Sequence, residues 1–175
     1  MHLLFVCTGN ICRSPMAERL AVAYLTRARL SGVLVSSAGT RAVVGHPIHD
    51  LAAQVLSDLG GETTDFAARL LTPKIASNAD LVITMSRYHR DRVLEMAPRQ
   101  LKKTYTLAEA AELVTEFGPT SIAGLARFRP LLAGDQAPDI PDPIGQGPEA
   151  FAKVGRQIVD LLPPIMDLCR ISFEG

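Results

Sequence analysis

Cys7 and Arg13 stand on either side of five residues in a short polar stretch near the N-terminus. The stretch follows an apolar run at residues 3–6 and precedes a helical pattern at residues 16–25, so we expect the order strand, loop, helix. A loop in that position presents successive backbone N–H groups to an anion, and the dipole of the following helix adds partial positive charge. The spacing predicts a thiol at the base of an oxyanion cradle and a guanidinium on its rim.

These residue types predict nucleophilic chemistry on a phosphate monoester. Cysteine attacks as the thiolate, which a helix N-terminus and nearby cationic groups stabilise. The Ser14 hydroxyl can donate a hydrogen bond to the Cys7 sulfur, which also makes that sulfur a better leaving group when a covalent intermediate is hydrolysed. Arg13 offers a planar fork of donors that matches two phosphoryl oxygens. We therefore predict a phosphomonoester hydrolase that uses a cysteine nucleophile.

The rest of the loop shapes the cradle, and its amides supply the main electrostatic stabilisation of the transition state. Besides Arg13, the predicted phosphate-binding residues are Thr8, Gly9, Asn10, Ile11, Cys12 and Ser14. Gly9 gives the backbone conformational freedom, and Asn10 tolerates a left-handed conformation. We expect the side-chain amide of Asn10 to tie the loop to a neighbour, for which Ser37 is our candidate.

Short apolar strands alternate with helical patterns along the chain, which predicts an α/β three-layer sandwich. Strands are predicted at residues 2–6, 33–38, 80–85 and 104–106, and helices at 15–29, 48–59, 87–96, 107–116 and from 148 to 162 or beyond. We expect Pro163-Pro164 to interrupt the last helix. Ligands of such sheets bind beyond the C-terminal ends of the strands, where Cys7, Ser37 and Thr84 are expected to meet.

The composition excludes several functional classes. The chain has 175 residues, with 18 basic and 18 acidic side chains and a formal net charge of zero. This balance does not favour a nucleic-acid or polybasic membrane surface. Three cysteines do not suggest a secreted disulfide framework, and neither a signal peptide nor a membrane-spanning stretch is evident. We expect one cytoplasmic domain over residues 1–175, a monomer or weak dimer.

The loop and three later segments resemble the low-molecular-weight protein tyrosine phosphatase family. The resemblance lies in VCTGNICRSPMAE at 6–18, SAGT at 37–40, ADLV at 79–82 and the Asp142-Pro143 pair. It implies a four-stranded parallel sheet flanked by helices, no metal or other cofactor, phosphocysteine chemistry and a phosphorylated protein substrate, in particular phosphotyrosine. Residues 107–137 look longer than is usual in the family, so we expect an insertion there. The composition also gives a bacterial impression.

The resemblance also implies roles for an aspartate and for the second cysteine of the loop. It assigns the general acid to Asp142, which would protonate the leaving phenolate and then activate water. Asp139, three residues upstream, is the competing candidate. Cys12 resembles the family residue that forms a reversible disulfide with the nucleophile Cys7 under oxidation, and the alternative is a small packed residue.

The substrate slot departs from the family pattern. The family usually has aromatic walls, but this chain has no Trp and offers Val43, Val44 and Ile144 instead. Aliphatic walls still bury a substrate ring, but they lose stacking worth roughly 0.5–1.5 kcal/mol. Phe66 also stands where many members carry a His that supports the loop.

Two alternative activities share this fold. Protein arginine phosphatases resemble this loop but carry a small Thr at the position of Ile11, and a branched aliphatic residue there fits tyrosine-type substrates better. Arsenate reductases need two further cysteines, and residues 72–100 contain none. A non-catalytic phosphate-binding module would lack the nucleophile or the acid, and both are present.

The histidines do not suggest a metal site. The spacing of Cys7 and Cys12 is unsuitable for zinc, and we expect His46 and His49 on the surface of a loop and at a helix start. We expect His89 to lie on a solvated face of the helix at residues 87–96, together with Tyr88, Arg87, Arg90 and Arg92, and the alternative is a docking patch for an acidic partner.

Overall fold

Four parallel strands form a sheet through the centre of the fold. The computed structural model describes residues 1–132 and 137–174, so residues 133–136 of the expected insertion and residue 175 lie outside the described residues. The strands are β1 (His2–Cys7), β2 (Leu34–Gly39), β3 (Leu81–Thr84) and β4 (Thr104–Thr106). They lie in the order β2-β1-β3-β4 and all pair in parallel, which confirms the predicted four-stranded parallel sheet.

Helices cover both faces of this sheet. They are α1 (Arg13–Arg27), α2 (Asp50–Asp58), α3 (Pro73–Ser77), α4 (Arg87–Met96), α5 (Leu107–Phe117), α6 (Ile122–Phe128) and α7 (Pro148–Glu174), with 3₁₀ turns at Pro98–Lys103 and Arg129–Leu131. Helices α1, α2, α5, α6 and α7 share one apolar cluster, and α3 and α4 share the other. Within the two described ranges, no helix combines the length and the apolar character needed to cross a bilayer.

The side chains of β1 alternate between these two clusters. Leu3 and Phe5 belong to the cluster of α1 and α7, whereas Leu4 and Val6 belong to the cluster of α3 and α4. All four are fully buried, because a parallel strand covered on both faces needs apolar residues at every position. The strand ends at Cys7, so the apolar run positions this residue at the C-terminal edge of the sheet.

The register of the strands brings three strand ends to one edge. Cys7 pairs with Gly39 of β2, and Val6 pairs with Thr84 of β3. The segments that follow β1, β2 and β3 therefore leave the sheet side by side, as the α/β pattern predicts.

The last helix corrects one prediction, because Pro163-Pro164 do not interrupt it. Helix α7 runs without a break from Pro148 to Glu174. A proline in a helix interior costs about 3 kcal/mol or more, since it removes a backbone donor. The turns beyond the two prolines, however, bury Ile165 and Met166 completely in the cluster shared with α1 and α5. This burial of apolar surface offsets the cost.

A buried carboxylate fastens α5 and the turn after α6 to the edge of the sheet. Glu109 is only 5% exposed, and its two oxygens accept hydrogen bonds of 2.6 and 3.1 Å from Arg129. Glu109 also completes the capping box of α5 with Thr106. The guanidinium of Arg129 lies 4.5 Å from the ring centre of Tyr105 and donates to the carbonyl of Thr104.

Replacement of Glu109 by Gln is expected to lower the free energy of unfolding by about 3 kcal/mol, because it leaves Arg129 without its anionic partner in a largely buried site. The matched control is Glu95→Gln, which breaks the exposed ion pair of Glu95 with Arg92 and is expected to cost about 0.5 kcal/mol or less. Urea denaturation of both variants measures the difference. Equal losses in the two variants would contradict the structural importance of Glu109.

Candidate active site

The loop between β1 and α1 holds its carbonyl groups outward through bonds to the segment after β2. Four backbone amides donate hydrogen bonds to loop carbonyls. The pairs are Thr40 to Cys7, Arg41 to Thr8 and Val43 to Gly9, each at 2.9 Å, and His49 to Ile11 at 2.7 Å. A planar trans peptide directs its N–H opposite to its C=O, so the amides that follow these carbonyls face the centre of the loop. Chemically, this arrangement can bind an oxyanion.

A chain of hydrogen bonds begins at the sulfur of Cys7. The Cys7 Sγ lies 3.0 Å from the Ser14 Oγ, and the Nδ2 of Asn10 donates to Ser14 at 2.9 Å and to Ser37 at 2.8 Å. The Ser37 hydroxyl in turn donates to a Glu18 oxygen at 2.6 Å. Ser37 therefore lies where the sequence expects the neighbour of Asn10, and Glu18 extends the chain by one residue.

Asn10 adopts the left-handed conformation, with φ of 54°, and a second segment holds it there. Its Oδ1 accepts a hydrogen bond of 2.9 Å from the amide of Arg69, whose Nε donates to the carbonyl of Ser37 at 2.7 Å. Phe66 instead lies beneath the guanidinium of Arg19, at 5.6 Å from the ring centre. The Arg69 backbone thus supplies support to the loop in a chain that lacks a His at position 66.

The guanidinium of Arg13 joins the loop to the segment before α7. Arg13 is 5% exposed, donates to the carbonyl of Ile140 at 3.0 Å and forms an ion pair of 2.8 Å with Asp142. The other oxygen of Asp142 accepts a hydrogen bond from the amide of Ile144 at 3.2 Å. The Asp142 side chain remains 49% exposed, so a carboxylate accessible to a ligand lies next to the cradle.

The two candidate aspartates have different surroundings. Asp139 accepts a hydrogen bond of 2.9 Å from the amide of Arg87 and lies 3.4 Å from its Nε. Asp139 is therefore engaged at the first turn of α4, whereas Asp142 is engaged by Arg13 in the loop. This geometry favours Asp142 over Asp139 as the carboxylate that serves the site.

The surroundings of Cys12, the second cysteine of the loop, favour its neutral thiol. Cys12 is at the N-cap position of α1 and 3% exposed. Burial, and after it the charge of the neighbouring Cys7, raises the pKa of Cys12 far above its usual range. Burial also raises the pKa of Cys169 in α7, to about 12. Of the two loop cysteines, it is Cys7 that has the hydroxyl partner Ser14.

The predicted wall residues lie on two segments and are exposed. Val43 and Val44 follow β2 and Ile144 follows Asp142, with exposed fractions of 39%, 65% and 45%. A side chain at Gly9 would come within 3.4 Å of Ile11 and 3.7 Å of Val43. The aliphatic groups of Ile11 and Val43 thus approach each other above Gly9.

The position of His89 corrects the prediction of a solvated histidine. His89 is 2% exposed, with its Nε2 at 2.8 Å from the Thr8 Oγ1 and its Nδ1 at 2.7 Å from the Ser86 Oγ. Burial and then the charge of Arg13 lower the pKa of His89 to about 4, so the ring is neutral near pH 7. The neighbouring Tyr88 is 50% exposed.

The other two predicted surface histidines, His46 and His49, differ in their surroundings. His46 is exposed, whereas His49 is half-buried, accepts a hydrogen bond from the amide of Leu51 at the start of α2 and stacks on Phe151 at 4.9 Å. In the part of the chain that the structure describes, no group of three or more His, Cys, Asp or Glu side chains could hold a metal ion.

Sequence reasoning missed Arg69, His89 and the carbonyl of Ile140. Ile140 contributes its carbonyl, and Arg69 contributes its amide and its Nε, and no local residue pattern indicates either contact. His89 gave a signal, because it stands three residues after Ser86, a residue type preferred at helix caps. At this spacing, a polar side chain in the first turn of a helix can form a hydrogen bond with the cap residue.

Comparison with known proteins identifies relatives of the chain. Residues 2–118 match the family model described as low molecular weight phosphotyrosine protein phosphatase. The chain is 42% identical over 110 residues to Etp, a low molecular weight protein-tyrosine-phosphatase of Escherichia coli strain K12, and this match covers 63% of the chain and 71% of Etp. It is 33% identical over 153 residues to Wzb, a second such phosphatase of that strain, over 87% of the chain and 84% of Wzb.

The similarity extends to solved structures. The arginine phosphatase YwlE from Geobacillus stearothermophilus superposes with a TM-score of 0.74 at 28% identity, over 97% of this chain and 92% of YwlE. The fold is therefore shared over nearly the whole length of the two chains.

Replacement of Gly39 by Ala is expected to lower the free energy of unfolding by about 2 kcal/mol and to impair the site. The new Cβ would lie 2.4 Å from the carbonyl oxygen of Thr8, so either β2 or the loop must shift. The matched control is Gly147→Ala, whose Cβ meets nothing within 4 Å. Thermal denaturation and phosphate binding measure the two effects, and wild-type behaviour of Gly39→Ala would contradict the close approach.

Proposed function

Because the chain belongs to the low-molecular-weight phosphotyrosine protein phosphatase family, we propose that Cys7, Arg13 and Asp142 perform its phosphomonoester hydrolysis. The observation that carries this assignment is the ion pair of 2.8 Å between Arg13 and Asp142. It holds a carboxylate beside the same loop in which Ser14 contacts the Cys7 sulfur. Nucleophile, anion-binding group and acid are thus within one site.

In the first step, the thiolate of Cys7 attacks the phosphorus and a P–S bond forms. The bond from phosphorus to the leaving oxygen breaks, and Asp142 gives that oxygen its proton. In the second step, Asp142 takes a proton from water, the water oxygen bonds to phosphorus and the P–S bond breaks. Inorganic phosphate leaves, and the hydrogen bond from Ser14 stabilises the departing thiolate.

Arg13 and the inward amides of the loop stabilise the charge that spreads over the phosphoryl oxygens in both steps. One terminal nitrogen of Arg13 is held by the carbonyl of Ile140 and the other by Asp142. A phosphoryl dianion that binds Arg13 replaces the bond to Asp142, which frees this carboxyl group to reach the leaving oxygen. The bond to Ile140 keeps the guanidinium plane oriented during the exchange.

Replacement of Asp142 by Asn is expected to lower kcat about 10²- to 10⁴-fold, the contribution typical of general acid–base catalysis. The loss should be larger for phenyl phosphate than for p-nitrophenyl phosphate, because the more basic leaving group needs the proton more. Steady-state kinetics with both substrates measures this difference.

Asp139→Asn is the matched control, because Asp139 is engaged by Arg87 at the first turn of α4. We expect it to retain the leaving-group dependence of the wild type, and Cys7→Ser to be inactive on both substrates. Equal kinetics in Asp139→Asn and Asp142→Asn would contradict the choice of acid. Activity in Cys7→Ser would contradict the phosphocysteine mechanism.

We propose phosphotyrosine in a protein as the substrate. The names of Etp and Wzb as protein-tyrosine-phosphatases support this choice. The apolar side chains of Ile11 and Val43 near Gly9, with Val44 and Ile144 exposed on the flanking segments, would bury an aromatic ring through the hydrophobic effect. The competing substrate is phosphoarginine, which the likeness to YwlE raises.

A panel of peptides that carry phosphotyrosine, phosphoarginine or phosphoserine separates these substrates, and we expect the highest kcat/KM for phosphotyrosine. Ile11→Thr should lower the ratio of phosphotyrosine to phosphoarginine hydrolysis about tenfold, because it removes apolar contact with the ring. Val22→Thr, at an exposed apolar position of α1, is the control that leaves the ratio unchanged. A wild-type preference for phosphoarginine would contradict the tyrosine assignment.

A further inference from the structure

The residues at the start of α4 contact both halves of the active site. On one side, the Nε2 of His89 lies 2.8 Å from the hydroxyl of Thr8, the residue after the nucleophile. On the other side, the carbonyl of Met85 accepts a hydrogen bond of 2.8 Å from the amide of Ile140, and the amide of Arg87 donates to Asp139 at 2.9 Å. Residues 85–89, which we term the α4 turn, thus join the phosphate loop to the segment of Asp142.

We propose that His89 is a positioning residue of the phosphatase reaction, which acts through the Thr8 hydroxyl to keep the phosphate loop in register with the Asp142 segment. This inference rests on the proposed roles of Cys7 and Asp142.

The hydrogen bond between His89 and the Thr8 hydroxyl reaches the loop from a different side than the other contacts that hold the loop. The backbone carbonyls of the loop are held by the segment after β2, including the bond of 2.9 Å from the Arg41 amide to the Thr8 carbonyl. Asn10 is held by Ser37 and Arg69. His89 adds a contact from the opposite side of β1, where β3 and α4 lie, so residue 8 is fixed between two elements.

His89 is built for this contact rather than for packing alone. Its ring is fully enclosed, and both ring nitrogens have hydroxyl partners, Thr8 and Ser86. A neutral imidazole has one donor and one acceptor nitrogen, which suits two hydroxyl groups because each can donate or accept. The charged groups that act on the ring are Arg13 of α1 and the carboxylates of Asp142 and Asp139. The ring therefore lies within the electrostatic field of the catalytic groups.

Ser86 connects the ring to the helix that carries it. The Ser86 hydroxyl caps α4 by accepting a hydrogen bond from the amide of His89, and its carbonyl accepts one from Thr84. The rotamer of His89 is thus fixed by the end of β3 and the cap of α4. A shift of the α4 turn would move Thr8 and the Asp142 segment together, which preserves their distance.

Two single variants and their combination test the proposal. His89→Phe keeps a buried ring but removes both hydrogen bonds, and Thr8→Val keeps the shape of Thr8 but removes its hydroxyl. We expect each to lower kcat for phenyl phosphate about tenfold, the effect of losing one hydrogen bond that orients reacting groups, with KM changed less than about twofold. The double variant should lose no more than either single variant, because both break the same contact.

Rescue and control variants separate positioning from a purely structural role. His89→Gln retains a neutral donor and acceptor and should recover most of the lost kcat, whereas Glu95→Gln, at an exposed position of α4, should match the wild type. Thermal denaturation of every variant shows whether it is folded. Thr8 is half-exposed, so Thr8→Val tests the contact even where His89→Phe lowers the stability.

The proposal is overturned if the losses of His89→Phe and Thr8→Val multiply in the double variant. It is also overturned if His89→Phe lowers only the melting temperature and leaves kcat unchanged. Failure of the underlying mechanism has a different signature, which is activity in Cys7→Ser. If Cys7→Ser is inactive and the His89 variants are fully active, the phosphocysteine mechanism stands and the positioning role of His89 is rejected.

Discussion

The outward direction of the loop carbonyls is the constraint on which the site depends. Segments of polypeptide carry as many carbonyl acceptors as amide donors, and a loop that bent freely would present both to a ligand. Here the segment after β2 supplies the amides that bind these carbonyls. The parallel pairing of β1 and β2 delivers this segment to the loop, since Cys7 and Gly39 are partners in the sheet. The register of the sheet therefore determines that amides, rather than carbonyls, face the anion site.

Asp142, the proposed acid, belongs to a segment distant in sequence from the loop, and two connections hold this segment against the loop. Arg13 reaches from α1 to Ile140 and Asp142, and the start of α4 binds the same segment from the side of β3. Arg13 thus contributes both structural stability and anion affinity. Because its outer bond is an ion pair to a half-exposed carboxylate, an incoming dianion can compete for it without disturbing the buried bond to Ile140.

The sequence allowed prediction of the elements whose signals are local. The strands were predicted from short runs of apolar, β-branched and aromatic residues, and the chemistry was predicted from the Cys-x5-Arg loop, because both depend on neighbouring residue types. The prolines of α7 were misjudged, since local propensity opposed a helix that distant apolar contacts stabilise. His89 was misjudged for a similar reason, because its neighbours on α4 are polar, whereas its partner Thr8 lies in the loop after β1. The different partners of Asp139 and Asp142, Arg87 and Arg13, come from contacts between distant segments that no local pattern provides.

Two groups at the edge of the network, the amide of Arg69 and the carboxylate of Glu18, determine the direction of the protons in it. The Arg69 amide requires an acceptor and so fixes Oδ1 of Asn10, which turns the NH₂ group toward both serines. An ionised carboxylate has acceptors but no donor, so the hydroxyl of Ser37 donates its single proton to Glu18. Ser14, already an acceptor, has its own proton left for the sulfur. The Arg69 amide and the Glu18 carboxylate together impose a one-way order on the network, and this order ends in a donor aimed at the nucleophile.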